Sequence, residues 1–345
     1  MFFRKKKDNL IGLDLGSRTV KLAEVNIRKN KYTLKKFAMK DIPKDTIQDG
    51  YIQDHIALSN TIRELLEENS IKEQNVALSV SGYSVIVKTI SLKKMAKEEL
   101  NMKINYEAEQ YIPFDINDVN LDFQITDENE DDMNIILVAA KKDMINGYIN
   151  LLASCDLVAA VIDVDCFALQ NIYEIAYGID EITAVVDIGA NKTNLNVIQK
   201  DKSLFMRDIA IGGESFTQDI SMSTDLSFED AERVKTGKSD QDIDIADIKN
   251  TTVIYWSSEI RRAIELYYSS TNNSNIQKIL LSGGSSFVDG LIESLMNETN
   301  IPVEHFVPFN NFSLDEKNIN KEYITKIAPQ ATICMGLAIR RVGDK

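Results

Sequence analysis

The chain has 345 residues, 44% hydrophobic and 27% charged, an ordinary globular balance with length enough for two domains. A net charge of −14 argues against binding a nucleic-acid backbone, which needs a basic face, though a nucleotide needs only a local anion pocket. Three cysteines without CxxC spacing and two histidines argue against a disulfide framework, a His-rich metal site and a Ser-His triad. No apolar run reaches the ~20 residues of a bilayer-spanning helix.

The opening MFFRKKKDN is basic but has no apolar core after it, so it is not a signal peptide. It reads as a solvated tail, or as a segment that brushes an anionic membrane. Strands are predicted at 9–15, 20–27 and 31–39, with Asp14, Gly16, Ser17, Arg18 and Thr19 at the first turn and RKNK at the second. A helix follows at 56–70, with Ile62, Leu65 and Leu66 on one stripe. Between 82 and 160 the pattern gives a strand (84–92), a helix (97–111), two strands (119–126 and 133–140) and a helix (142–154). The acidic DENEDD between the paired strands is a solvated hairpin loop. This compact β-α-β-β-α unit has no counterpart elsewhere in the chain. A further helix is predicted at 166–177.

Residues 182–211 then repeat the opening meander. Without gaps, Asp14 matches Asp187, Gly16 matches Gly189 and Leu22 matches Leu195, which implies a duplicated domain. Helices are predicted at 214–223, at 227–236 with Ser227 as N-cap, and at 251–271. The polar stretch 239–250 is a loop or a helix-joining segment. A buried strand at 278–282 runs into Gly283-Gly284-Ser285 and another helix. The class is α/β, in two similar halves with a cleft between them.

A tight turn containing glycine lets backbone N–H groups approach an anion. Ser17 and Thr19 add donors at the first turn; Asn191, Lys192 and Thr193 add them at the second. Facing each other, the two hairpins would clamp a polyphosphate. Asp14 and Asp187 would repel bare phosphate and make sense with Mg²⁺ between, an ion that keeps several of its waters. Gly212-Gly213 offers the free N–H groups of a helix N-terminus to an anion, or only turns a strand into a helix. Glu232 and Lys235 share a helical face, suited to ribose hydroxyls or to a surface ion pair. A flat purine could lie on the bare backbone of Gly283-Gly284-Ser285, which is otherwise a generic strand–helix junction.

The order hairpin, hairpin, GG-helix, ExxK, strand-SGGS-helix resembles the actin-like ATPase superfamily over the whole chain. That resemblance implies two duplicated ribonuclease-H-like domains with an inserted subdomain in the first. The first domain would be 1–81 plus 161–181, the insertion 82–160 and the second domain 182–345. Within the second, 213–275 would form a helical subdomain, and the C-terminal helix 329–342 would return to the first domain. ATP and Mg²⁺ would lie in the cleft. The cofactor-binding residues would be Asp14, Gly16, Ser17, Arg18, Thr19 and Lys21 from the first half. From the second they would be Asp187, Gly189, Asn191, Lys192, Thr193, Gly212, Gly213, Glu232, Lys235, Gly283, Gly284 and Ser285. Asp14 and Asp187 would hold the metal through water.

GLDLGSRTVKLAEV, EAEQYIPFDINDVNLDFQI, VAAKKDMI, IGGESFTQDISMSTDLSFEDAERVKTG and APQATICMGLAIR are similar, more narrowly, to the PilM family of type IV pilus assembly. The family implies a cytoplasmic scaffold, peripheral to the inner membrane through its partners. It would capture the N-terminal peptide of a PilN-type membrane protein in a groove between the first domain and the insertion. Tyr106, Tyr111, Ile112, Pro113 and Phe114 are candidates to line that groove, and the same cluster would equally close the insertion's own core. Other pilus platform or motor proteins and self-association are compatible; nucleic acid is not expected. Hydrolysis would be slow at most, with Asp165 positioning the attacking water and Asp163 and Gln170 as lesser candidates; capping the 166–177 helix is an equal role for Asp165. Two other functions compete: an FtsA-like filament-forming division protein and a small-molecule (sugar) kinase. FtsA-like chains typically end in an amphipathic helix after a linker, whereas this one stops at GLAIRRVGDK, and no sugar-binding signature is present.

Overall fold

The computed structural model describes residues 10–270 and 275–343. The basic stretch 1–9, with the first residue of the first predicted strand, lies outside the described residues, as does Thr271 at the end of the predicted 251–271 helix.

Strand β1 (Ile11–Leu15) is buried at every position. It pairs antiparallel with β2 (Thr19–Arg28), which sets Asp14 opposite Lys21, and β2 pairs antiparallel with β3 (Lys31–Asp41). After a small hairpin, β4 (Ile47–Gln48) and β5 (Tyr51–Ile52), comes helix α1 (His55–Glu68). The Asp54 side chain accepts from the Ile56 and Ala57 amides and caps α1, whose Leu58, Ile62 and Leu65 enter the core. Strand β6 (Asn75–Val80) then returns parallel to β1.

The insertion follows. Strand β7 (Val85–Lys93), helix α2 (Lys97–Ala108), β8 (Val119–Glu128) and β9 (Asp132–Lys141) form an antiparallel sheet in the order β7-β9-β8. Leu100, Ile104 and Ala108 of α2 pack with Ile90, Leu92, Ile135 and Leu137 of that sheet. Helix α2 ends three residues before the predicted limit, because Pro113 disfavours helical backbone at the residue before it and the Tyr111 and Ile112 amides close on the Ala108 carbonyl. Helix α3 (Lys142–Ser154) does not join this sheet's core. Its Met144, Ile145, Tyr148, Leu151 and Leu152 pack with β1, β6 and α1. The insertion therefore keeps four of the five expected elements, and the fifth serves the first domain. Strand β10 (Val158–Val164) pairs with β6, and helix α4 (Asp165–Ala176) leads onward.

In the second half, β11 (Ile182–Ile188), β12 (Thr193–Gln199) and β13 (Lys202–Ile209) repeat the meander, with Asp187 opposite Asn194. Helices α5 (Gly213–Thr224), α6 (Phe228–Lys235) and α7 (Ala246–Ser270) follow. Helix α7 starts five residues earlier than predicted, where the Asp244 side chain accepts from the Ala246 amide, so the last five residues of the polar 239–250 stretch are helical. Strand β14 (Lys278–Ser282), helix α8 (Leu291–Thr299) and β15 (Val303–His305) complete this sheet. The short strand β16 (Phe312–Leu314), which the sequence did not disclose, crosses back to pair with β3. Helices α9 (Lys321–Lys326) and α10 (Thr332–Ala338) end the chain.

The sheets run β10-β6-β1-β2-β3-β16 and β13-β12-β11-β14-β15. Apart from β16, the two orders correspond strand for strand, so the duplication holds in three dimensions. Between the sheets, α4 and α10 share a core with residues of both domains, among them Ala23, Val185, Leu280 and Met335. Their approach is close enough that a Cβ on Gly336 would lie 1.9 Å from the Ala168 carbonyl oxygen, and one on Gly12 would lie 2.5 Å from the Cys334 carbonyl oxygen. Among the described residues, no helix is long and apolar enough to cross a membrane.

Candidate functional site

Both hairpin turns close in the same way. The Gly16 amide donates to the Thr19 carbonyl at 3.1 Å, and the Gly189 amide donates to the Lys192 carbonyl at 2.9 Å. The glycines thus shape the turns, and both tips face a cavity of about 1740 Å³ between the domains. Asp14, Asp165 and Asp187 line it, as do Gly16, Ser17, Arg18, Thr19, Lys21, Asn191 and Lys192. Thr193 does not: it is buried, and its hydroxyl donates to the Ile211 carbonyl at 2.9 Å.

The three carboxylates differ in their partners. Asp14 pairs with Lys21 at 2.8 Å, both nearly buried. Burial works to lower the Lys21 pKa, but the Asp14 charge and hydrogen bond outweigh it and leave the ammonium raised. Asp187 accepts from the Ser282 hydroxyl at 2.6 Å. Burial pushes its pKa to about 6 against that hydrogen bond, with the Asp165 and Asp14 charges adding to the rise. Asp165 accepts from the Ser79 hydroxyl at 2.6 Å and lies 3.8 Å from Lys192; burial raises it, and Lys192 opposes the rise. It does not cap α4, whose N-cap is Val164 with no side-chain bond. Asp163 is paired with Arg340 at 3.4 Å, and Gln170 bonds the Asp201 carbonyl and Ser203, so neither faces the cavity.

The glycine pair before α5 acts differently from a free anion site. The Gly213 and Glu214 amides donate to the Gly189 and Ala190 carbonyls at 3.0 and 2.8 Å. The first amides of α5 therefore fasten the second hairpin in place. Gly212 permits that contact, since a Cβ there would sit 2.3 Å from the Ala190 carbonyl oxygen. Glu232 and Lys235 form an ion pair at 2.6 Å, but not a surface one: their side chains are 23% and 13% exposed and line the cavity. Lys235 also donates to the Gly213 carbonyl and the Thr217 hydroxyl, and burial lowers its pKa. Gly283 takes a left-handed φ of +86°, whereas a Cβ on Gly284 would meet nothing within 4 Å and would project into open space at the cavity wall. Ser285 donates to the Gly189 carbonyl at 2.9 Å.

Two site residues escaped the sequence reading. Ser282 pairs in register with Asp187, and Ser79 stands one position beyond the Leu13–Leu78 pair, the equivalent place in the first domain. The stretches LSVSG and LSGGS carry this echo in the sequence. In the insertion, Ile112 is buried, and Tyr111 and Phe114 pack partly buried against the same core, with the Lys141 ammonium 4.6 Å above the Phe114 ring. Tyr106 and Pro113 remain exposed.

The donor set suits a polyphosphate accompanied by a cation. Arg18 Nη1 is buried without a hydrogen-bond partner, Lys192 stands at the second turn, and three carboxylates share the floor. Among the described residues, no group of three or more His, Cys, Asp or Glu is arranged to ligate a metal directly. A magnesium ion here would draw most of its shell from water and phosphate oxygens, as that ion readily does.

Residues 12–342 match the family described as type IV pilus assembly protein PilM. The chain of a solved PilM-PilN type IV pilus biogenesis complex is 30% identical, with a TM-score of 0.87 over 97% of this chain and 99% of that one. Two more distant structures share the fold. Ethanolamine utilization protein EutJ from Carboxydothermus hydrogenoformans is 15% identical, with a TM-score of 0.57 over 96% of this chain and 89% of that one. MreB 5 of Spiroplasma citri bound to AMPPNP is 13% identical, with a TM-score of 0.52 over 96% and 95%.

Proposed function

Because this chain belongs to the type IV pilus assembly protein PilM family, we propose that it is a nucleotide-binding scaffold of pilus assembly that captures the N-terminal peptide of a PilN-type inner-membrane protein. We place it in the cytoplasm, attached to the membrane through that partner. The observation that carries the nucleotide role is the pair of equivalent hairpins, Asp14 to Thr19 and Asp187 to Lys192, facing one cavity. MreB 5, with the same fold, was solved bound to AMPPNP, which supports the same ligand class here. The triphosphate would lie between the hairpins with magnesium held through water by Asp14 and Asp187. The ribose would lie near Glu232 and Lys235, and the base on Gly284. Asp165, hydrogen-bonded to Ser79, is the group we assign to orient water in any slow hydrolysis.

Partner capture is supported by the solved PilM-PilN complex and by large exposed side chains on the insertion, with Tyr106 at 70% exposure and Met102 at 78%. Retention of the full chain on an immobilised PilN-type N-terminal peptide, with and without ATP and magnesium, tests this. Binding in at least one state is expected, and Tyr106→Ala weakens it by about tenfold or more, as loss of an aromatic anchor does. No retention in either state contradicts the partner assignment. The nucleotide placement has its own check. Gly284→Val puts its Cβ where nothing lies within 4 Å, so the branch point is accommodated without a clash. By occupying the purine's position it lowers ATP affinity by about tenfold or more in a calorimetric titration. Unchanged affinity would put the base elsewhere.

A further inference from the structure

Arg18 sits at the tip of the first hairpin and reaches across the cleft to the second domain. Its Nη2 lies 3.5 Å from Glu229 Oε2, and its guanidinium carbon lies 5.5 Å from the centre of the Phe228 ring, both at the start of α6. The ion pair is long and Glu229 is 65% exposed, so the contact is weak. The other terminal nitrogen, Nη1, is buried and has no partner. A fork donor with one nitrogen poorly bonded and another unbonded has unused capacity at a cavity wall. Lys44, 3.9 Å from the same ring, keeps a cation on Phe228 if Arg18 departs. The duplicated turn places Asn191 at the matching position, uncharged and beside the Glu214 carboxylate, to which its amide donates at 3.2 Å when oriented with the nitrogen toward it. The two otherwise equivalent hairpins therefore differ at their tips, and only the first carries a guanidinium.

Building on the nucleotide-binding role above, we propose that Arg18 reads the terminal phosphate of a bound triphosphate and releases Glu229 of α6 when it does so. A guanidinium fits phosphate oxygens bidentately, a stronger arrangement than one long contact to an exposed carboxylate. Arg18 holds Glu229 only through one long contact, so a phosphate in the cavity would compete for it on better terms. A triphosphate takes it from Glu229 and frees α6 from the first hairpin, whereas a diphosphate leaves the cross-cleft contact in place.

Calorimetry of the full chain with magnesium plus a non-hydrolysable ATP analogue, and separately with ADP, tests this. Arg18→Gln is expected to weaken the triphosphate by about tenfold and ADP by less than about twofold, while Glu229→Gln tightens the triphosphate about two- to threefold. Nitroxides placed through Lys29→Cys, in the β2–β3 turn of the first domain, and Thr236→Cys, at the end of α6, both exposed, report a longer distance from that domain to α6 with the analogue than with ADP. Equal losses for both nucleotides in Arg18→Gln, or a distance the analogue does not change, overturns the assignment of Arg18. A wild-type chain that binds neither nucleotide overturns the nucleotide-binding role itself, a separate failure.

Discussion

Asp187→Asn weakens magnesium-dependent ATP binding by about tenfold or more, the worth of roughly 1.5–3 kcal/mol for a hydrogen-bonded charge, and leaves the fold intact. Asparagine keeps the shape and can still accept from Ser282, so only the charge is lost. The wild-type chain should show the same dependence as a function of pH. Burial first, and then the Asp165 and Asp14 charges, hold Asp187 near 6 against an ordinary value of 3.8. A cation favours the charged form, so affinity for the magnesium–nucleotide complex falls as pH drops from 7 through 6, and binding releases protons in that range. In the nucleotide-free protein the sign is opposite. An acid whose folded pKa is raised contributes stability that is complete below about 4 and lost as pH rises through about 6. Asp187→Asn removes both dependences. Calorimetry between pH 5 and 7.5 in buffers of different ionisation enthalpy reads the first, and denaturant midpoints between pH 4 and 7 read the second.

Gly336→Ala destabilises the protein by about 3 kcal/mol or more, through overpacking where nothing flexible can yield. The added Cβ would stand 1.9 Å from the Ala168 carbonyl oxygen and 2.6 Å from its carbon, both backbone atoms of α4. Relief requires α10 to lift from α4, which opens the core shared by the two domains at Leu169, Cys334 and Met335. Gly147→Ala is the matched control. It lies in α3 with nothing within 4 Å of its would-be Cβ, so the same added methyl stabilises by about 0.5–1 kcal/mol through helix propensity. Urea denaturation of both variants measures the contrast. A loss below about 1 kcal/mol in Gly336→Ala would mean that the interdomain contact is looser than described.

These residues also mark what the sequence makes legible. The paired hairpins could be read because a duplication repeats local turn chemistry, Asp-x-Gly after an apolar strand, at a constant offset. The α4–α10 contact joins residues far apart in the chain, and no local pattern at Gly336 announces Ala168. The same limit explains the Gly213 and Glu214 amides. A glycine pair at a helix start looks free until the Gly189 and Ala190 carbonyls of another hairpin are placed against it. Helix α3 falls within the stretch that has no counterpart in the second half, and so reads as part of the insertion, while its apolar face packs with β1 and α1. Strand β16, three residues long, is too short to carry a period. By contrast, the serines at 79 and 282 are within reach of the sequence, since LSVSG and LSGGS close the corresponding parallel strands β6 and β14 of the two halves.

A calorimetric titration of the full chain with ATP plus magnesium tests the central claim most directly. One nucleotide per chain, with affinity reduced by Asp187→Asn, is the predicted result. No heat of binding from the folded wild-type protein would contradict it.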